Sequence, residues 1–408
     1  MSGAAPPAVP GASGAAGARV FGVAAAGGSL SFVALLLVGQ LAAWVLHVVA
    51  GTLGFAGWAN VGVLVALASV RGEIEVLPVG PPSVLDPGPG LRSVPFLLTI
   101  GFLWLVVRAG RRAARGAAEL RPLVTVAIAA AGAAAPVGVA AAVAASLVSI
   151  SIPGLDVTVT GDPASAGLWA GALTAAGAAT GALFELRPDA IPARLVRGAI
   201  VGVVSALALL VVVVLVVATV EPAVTRAYAD GLGRLGGGGA ALFGAHVVGL
   251  PAQSALLFAP AAGTCLDVLT GDPALRLCPW ALTPTARLGD ALLGGRVPLS
   301  PWLWVANVVP IFAAAIAGRV GANAQRGRRA LEVGAAAGVA CGALAVLAAW
   351  FVTPRWFVPS PVPLPLVVVQ PRLIAMAVTW TAWGLTGGVI GGWFAARRYE
   401  GSPSPTSV

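Results

Sequence analysis

Residues 199–220 read AIVGVVSALALLVVVVLVVATV, a run of 22 residues without a single charge. Coiled as an α-helix it measures about 33 Å, enough to cross the hydrocarbon core of a bilayer. A helix that is apolar on every face does not belong on the surface of a water-soluble domain, so the run predicts a membrane span. Its flanks predict a direction. Arg194 and Arg197 precede it and Glu221 follows it, and because cationic flanks are retained in the cytoplasm, the helix should run from inside to outside.

One oriented helix orders the rest of the chain. The sequence is 58% hydrophobic and 10% charged, with a mean hydropathy of +0.95, which is more apolar surface than a domain in water can bury. Seven further runs complete the set of spans: 28–49, 94–107, 123–147, 166–184, 302–318, 333–351 and 373–395. Two other apolar stretches, 55–70 and 240–262, are either short or broken by His246, Pro251, Gln253 and Pro260. Counting either as a span would carry an arginine cluster outside, so both are read as re-entrant or interfacial helices on the outer face. The expected fold is therefore an all-α integral membrane protein of eight transmembrane helices plus these two outer elements. It is expected as a multi-pass protein of the plasma membrane, with both termini cytoplasmic. Residues 1–27 are expected as a disordered cytoplasmic tail, without the basic start of a cleavable signal. The first four-span half covers 28–190, the second 191–398 with a long outer segment at 221–300, and 399–408 form a cytoplasmic C-tail.

Net charge is +9 and every one of the 24 cationic residues is an arginine. Split by this topology, fifteen arginines face five carboxylates inside, and nine face ten outside. The basic balance thus reports membrane orientation and contact with lipid headgroups, not a nucleic-acid groove. The Lys-free, Ala/Gly/Val-rich usage points to a GC-rich bacterial genome. Among the outer segments, 71–91 is read as a loop carrying Glu73, Glu75 and Asp86, whose Glu-Ile-Glu-Val alternation allows a short strand. Residues 149–160 alternate on both sides of Pro153-Gly154, a hairpin signal. Eight of the twelve tryptophans fall near outer span ends, as an aromatic belt should.

The halves resemble each other. An offset of 211 aligns Trp169 with Trp380, Gly177 with Gly388, Gly181 with Gly392 and Arg187 with Arg398, while Ala109-Gly110-Arg111 matches Ala317-Gly318-Arg319 at an offset of 208. Two parallel four-helix repeats, related by an axis along the membrane normal, are expected, against chance matching of Ala/Gly-rich helices.

Small residues four apart let helix backbones touch in lipid, and Gly177/Gly181, Gly334/Gly338/Gly342 and Gly387/Gly388/Gly391/Gly392 form such packing seams. Gly231-Leu-Gly-Arg-Leu-Gly236 matches a dinucleotide fingerprint in letters only, since no βαβ unit surrounds it. Cys265 and Cys278 either close an outer disulfide or stand as two free thiols, and Cys341 fills a span. No span carries Asp, Glu or Arg at its middle, and no zinc-protease, serine-hydrolase or nucleotide-binding motif occurs, so catalytic residues, cofactors and metals are not expected. The polar residues left at membrane depth, Gln40, His47, Gln253 and Asn307, either bond across helices or line a polar path.

The stretch 62–117, with its outer loop, its lead-in Val-Pro-Phe-Leu-Leu-Thr and its exit Val-Val-Arg-Ala-Gly-Arg-Arg-Ala-Ala-Arg, resembles actinobacterial polytopic proteins of the PerM-like cell-division and streptophobe types. The resemblance covers about a seventh of the chain. It implies a noncatalytic plasma-membrane component of the envelope or division machinery, partnered by the lipid bilayer and by other membrane or envelope proteins. The alternative is a permease-like carrier of a neutral or lipidic solute, with 55–70 and 240–262 lining its path.

Overall fold

The computed structural model describes residues 12–50, 55–78, 90–92, 95–115, 117, 120–152, 157–220, 226, 254–270, 275–277, 301–353, 355–356 and 367–400. Helices α1 (Ala12–Ala50), α2 (Phe55–Ser69), α3 (Phe96–Arg115), α4 (Pro122–Leu147), α5 (Pro163–Leu186) and α6 (Ile191–Val220) belong to the first part of the chain. The later part holds α7 (Phe258–Ala261), α8 (Val309–Gly321) after the 3-10 segment Pro301–Val308, α9 (Gly327–Phe351) and α10 (Leu373–Glu400). Six of these, α1, α4, α5, α6, α9 and α10, are long and apolar enough to cross a membrane. The protein is a multi-pass membrane protein by that count.

Packing is the inverse of a soluble core. The buried positions of α4 and α5 are alanine, glycine, threonine and one valine, whereas Leu123 and Ile374 are each 85% exposed and Leu168, Val139 and Phe312 also point outward. In lipid, large apolar side chains lose nothing by facing the tails, and small ones inside let backbones approach and gain dispersion contact. The seams are correspondingly tight. A Cβ at Gly334 would lie 2.6 Å from Gly388 O and one at Gly342 2.8 Å from Trp380 O, and Gly338 meets Gly384 O.

Short strands collect at one end of the bundle. β1 (Ile74–Pro78) follows α2, β2 (Gly90–Arg92) leads into α3, and the hairpin β3 (Ser149–Ile152) and β4 (Val157–Gly161) joins α4 to α5. In the second half β5 (Leu266–Thr270) and β6 (Leu275–Leu277) follow α7, and β7 (Arg355–Trp356) and β8 (Val367–Pro371) join α9 to α10. All eight form one antiparallel sheet in the order β3-β4-β1-β2-β7-β8-β5-β6. The second four strands repeat the order of the first four. Helices that leave this sheet end at Arg108 to Arg115, Arg187, Arg319 and Arg397 to Arg398, so the opposite end of the bundle is an arginine end.

The repetition extends to individual contacts. Ile74 pairs with both Leu91 and Gly161, and Leu266, 192 positions later, pairs with Leu277 and Pro371. The turn Gly72 N to Leu67 O recurs as Thr264 N to Ala259 O, and Asp162 N to Glu73 O recurs as Arg372 N to Cys265 O. Gly181 lies against Val107 O and Arg111 N, as Gly391 lies against Ala315 O and Arg319 N.

Three expectations change. The α5 to α10 offset is 210, not 211, so Gly181 answers to Gly391 and Trp169 to Thr379, while Trp380 is a buried core residue bonded through Nε1 to Phe258 O at 3.1 Å. Residues 12–27, expected in the disordered tail, are helical because Gly17, Phe21 and Gly27 nest against Ile128, Gly132 and Ala109. The helical architecture agrees with the expected all-α membrane protein, to which the short strands add one small sheet. At the other terminus α10 runs to Glu400, two residues into the expected tail. Most of 240–262 lies outside the described residues, as do 1–11 and 401–408.

Candidate functional site

Charge concentrates at the arginine end, and the two halves treat it differently. In the first, close approach of α3 and α5 at Gly110 and Gly181 puts Glu185 beside two arginines. Arg111 Nε donates to one carboxylate oxygen at 3.1 Å and Arg115 Nε to the other at 2.9 Å. What remains beside α3 is an open groove of about 400 Å³ along Trp104, Arg108, Arg111, Arg112 and Arg115.

In the second half a cavity of about 330 Å³ opens between the α5–α6 turn and the ends of α8 and α10, with Arg194, Arg197, Arg319 and Arg398 on its walls. Arg194 is largely buried, its side chain 14% exposed, and it forms the base: one terminal nitrogen meets Asp189 Oδ1 at 3.1 Å and the other donates to Asn323 O at 2.9 Å. Next to Asn323 the turn places Ala324 at φ 67°, a left-handed conformation that costs a non-glycine residue about 1 kcal/mol. Arg319 stands 208 positions after Arg111, and the position 210 after Glu185 is Ala395, on the cavity wall. Among the described residues no carboxylate pairs with Arg197, Arg319 or Arg398. Asp189 is the sole acid among the described lining residues, so the cavity can hold an anion by charge-assisted hydrogen bonds but offers no nucleophile and base in contact.

At the sheet end, Arg71 joins the halves. It is 3% exposed, sits at φ 64°, and lays its guanidinium 4.4 Å from the Trp169 ring of α5 and 3.6 Å from the Trp350 ring of α9. Phe351 and Phe96 close the cluster. The matching position 192 later is Gly263, also at positive φ (81°), where the conformation carries no Cβ penalty. A buried cation between two indole faces gains about 2 kcal/mol, which offsets the strain. Beside it, Asp162 caps α5 by accepting from Ala164 N and Ser165 N, and its negative charge, Glu73 and partial burial together raise the pKa of Glu75, burial being the largest cause.

The sequence-nominated residues are scattered. Gln40 Nε2 donates to Ala59 O at 2.8 Å and His47 lies further along α1, both in the first half. Asn307 lies in the second half on the 3-10 segment packed against α6, α7 and α8. Each of the three retains one buried polar atom without a partner, two of them on α1 and the third on the 3-10 segment. Gln253 lies outside the described residues. Gly177 abuts Val106, Gly334 and Gly338 abut Gly388, and Gly392 abuts Ala330 O, so the nominated glycines are helix contacts. Cys265 is in a disulfide, Cys341 is a buried free thiol, and the chain's third cysteine, Cys278, lies outside the described residues. Sequence reasoning missed Arg71 and Ala395. The first was visible only as a cation ending an apolar run, the second only as a gap in a repeat whose offset had to be correct.

Fold and site together define a multi-pass membrane protein with a sheet-bearing end and an arginine end. No protein-family profile matches the chain, and no curated protein or solved structure matches it.

Proposed function

We propose that this is a noncatalytic scaffold of the bacterial plasma membrane, serving the envelope or division machinery, with eight spans arranged as two parallel four-helix repeats. In this reading α3 and the 3-10 segment with α8 complete the span count, the arginine end and both termini face the cytoplasm, and the sheet faces outward as a rigid platform for envelope partners. The observation that carries the reading is that Gln40 and His47 stand on α1 in the first half and Asn307 on the 3-10 segment in the second, while the groove along Trp104 and the cavity based on Arg194 lie at the arginine end. A solute path would need polar groups that converge between the halves. The carrier reading keeps one observation in its favour, the unpartnered polar atoms of those three residues.

A cysteine-accessibility scan separates the two. With Cys341 replaced by alanine, single cysteines at Gln40, His47 and Asn307 are exposed in intact cells to a small membrane-impermeant thiol reagent. The scaffold predicts no labelling at any of them while a cysteine at Ser151 in the sheet reacts. Labelling at both Gln40 and Asn307 would make the protein a carrier.

A further inference from the structure

We infer that the second-half cavity at the arginine end binds a phosphate-bearing anion through Arg197, Arg319 and Arg398, with Arg194 as its buried base. The inference stands on the cavity and on the comparison of the two halves, and it holds whichever face of the membrane the arginine end occupies.

Four guanidinium groups line about 330 Å³, and the one carboxylate among them, Asp189, is already engaged by Arg194. Like charges gathered next to a bilayer repel in a medium of reduced dielectric, and such a cluster is stable only with a counter-charge. The first half shows what a counter-charge from the chain itself looks like, since Glu185 bridges Arg111 and Arg115. At the equivalent position the second half has Ala395, so among the described residues no side chain supplies that counter-charge, and an anion bound in the cavity would. Asn323 O, which Arg194 binds, fixes the base of the site through the strained turn at Ala324.

Arginine selects the chemistry. Its planar fork donates two parallel hydrogen bonds to a phosphate, and three forks around one cavity match a group with three peripheral oxygens and up to two negative charges better than a single carboxylate. The cavity size suits a headgroup or a small phosphorylated molecule. A lipid phosphate and a soluble one share this chemistry, and basic pockets between helix ends are a recognised place for the former.

The test uses the full chain, purified and delipidated in a neutral detergent, and titrated separately with dioctanoyl phosphatidylglycerol and with inorganic pyrophosphate, read by native mass spectrometry and calorimetry. One saturable equivalent is expected. Ala395→Glu should supply the missing acid to Arg319 and weaken binding about tenfold or more, the effect of losing one charged hydrogen bond. Glu185→Ala should free Arg111 and Arg115 and raise the stoichiometry from one to two. Should Ala395→Glu fail to fold, the double variant Arg319→Gln/Arg398→Gln changes only exposed side chains and reads the same loss. Binding of the lipid alone identifies a headgroup site, and binding of pyrophosphate as well identifies a soluble ligand. Equal affinity of wild type and the double variant for both probes, or no saturable binding in either arm, overturns the inference.

Discussion

At the arginine end of the first half Glu185 sits between Arg111 and Arg115, whereas at the same place in the second half Ala395 leaves Arg319 facing a cavity. At the sheet end the contrast reverses. There the first half carries the strained, ring-sandwiched Arg71 and the acids Glu73 and Asp162, and the second carries Gly263, the disulfide-bonded Cys265 and Arg372 at the corresponding positions. Helix seams and sheet register are held in common, so the shared contacts specify the fold and the differences mark where each half has its own task. In lipid this division is expected, because backbone approach at small residues is what stabilises helix pairs and leaves little freedom to vary.

The seams should be the most sensitive part of both halves. Valine at Gly181 or at Gly391 would drive a side chain into a carbonyl of the neighbouring helix, Val107 O or Ala315 O. Each change should cost about 3 kcal/mol or more and abolish monodisperse protein in detergent; a variant that tolerates one but not the other would break the equivalence of the halves. Next in size is the disulfide. Reduction of the purified protein should lower stability by about 2–4 kcal/mol, and hydrogen exchange should rise in β5 and β8 while β1 and β4 stay protected. Peptide mapping is expected to find the bridge between Cys265 and Cys278.

Arg71 sharpens the comparison from the other side. Arg71→Gly copies the second half's residue and relieves the positive-φ strain, yet it removes the cation from between Trp169 and Trp350. A net loss of about 1–2 kcal/mol is expected, read as a lower Tm. An unchanged or higher Tm would show that the rings hold the halves together without it.

The smallest effect concerns Glu75, whose carboxyl titrates above its ordinary value of 4.5 because burial and the neighbouring Asp162 and Glu73 disfavour its charge. Below that value the group is protonated in both the folded and the unfolded chain and contributes nothing. As pH rises the unfolded chain ionises first, so the folded state loses stability until the folded pKa is passed, and the deficit persists at neutral pH. Glu75→Gln should therefore raise Tm slightly at pH 7 and leave it unchanged at pH 4. A pH-independent shift would assign the effect to packing.

Much of this was legible in the chain. The hairpin at 149–160 follows from alternation around Pro153-Gly154, the β1 strand from Glu-Ile-Glu-Val, and the short helix α2 from the apolar run at 55–70. The repeat was visible but slipped by one residue, because the halves differ in connection length. Matching contacts fall 192 positions apart in β1, 204 in β3, 208 in α3 and 210 in α5, so no single offset aligns them. The pairing of Glu185 with two arginines of another helix was not legible, since helix rotation in a bundle of small residues leaves little trace in apolar periodicity: α4 and α5 are apolar all round. For the same reason Arg71 reads in sequence as a loop cation, and only the fold reveals the two indoles, one from each half, that enclose it.

The account depends most on all strands standing on one side of the membrane and all arginine clusters on the other. Single cysteines at Ser151 and Thr158 in the sheet and at Arg187 and Arg328 at the opposite end, in a Cys341→Ala background, can be labelled in intact cells with an impermeant maleimide and again after permeabilisation. The account predicts reaction at Ser151 and Thr158 in intact cells, and at Arg187 and Arg328 only once the membrane is opened. Reaction of Arg187 or Arg328 in intact cells together with the sheet positions would contradict it, because then the arginine end and the sheet would share one face and the eight-span repeat could not stand.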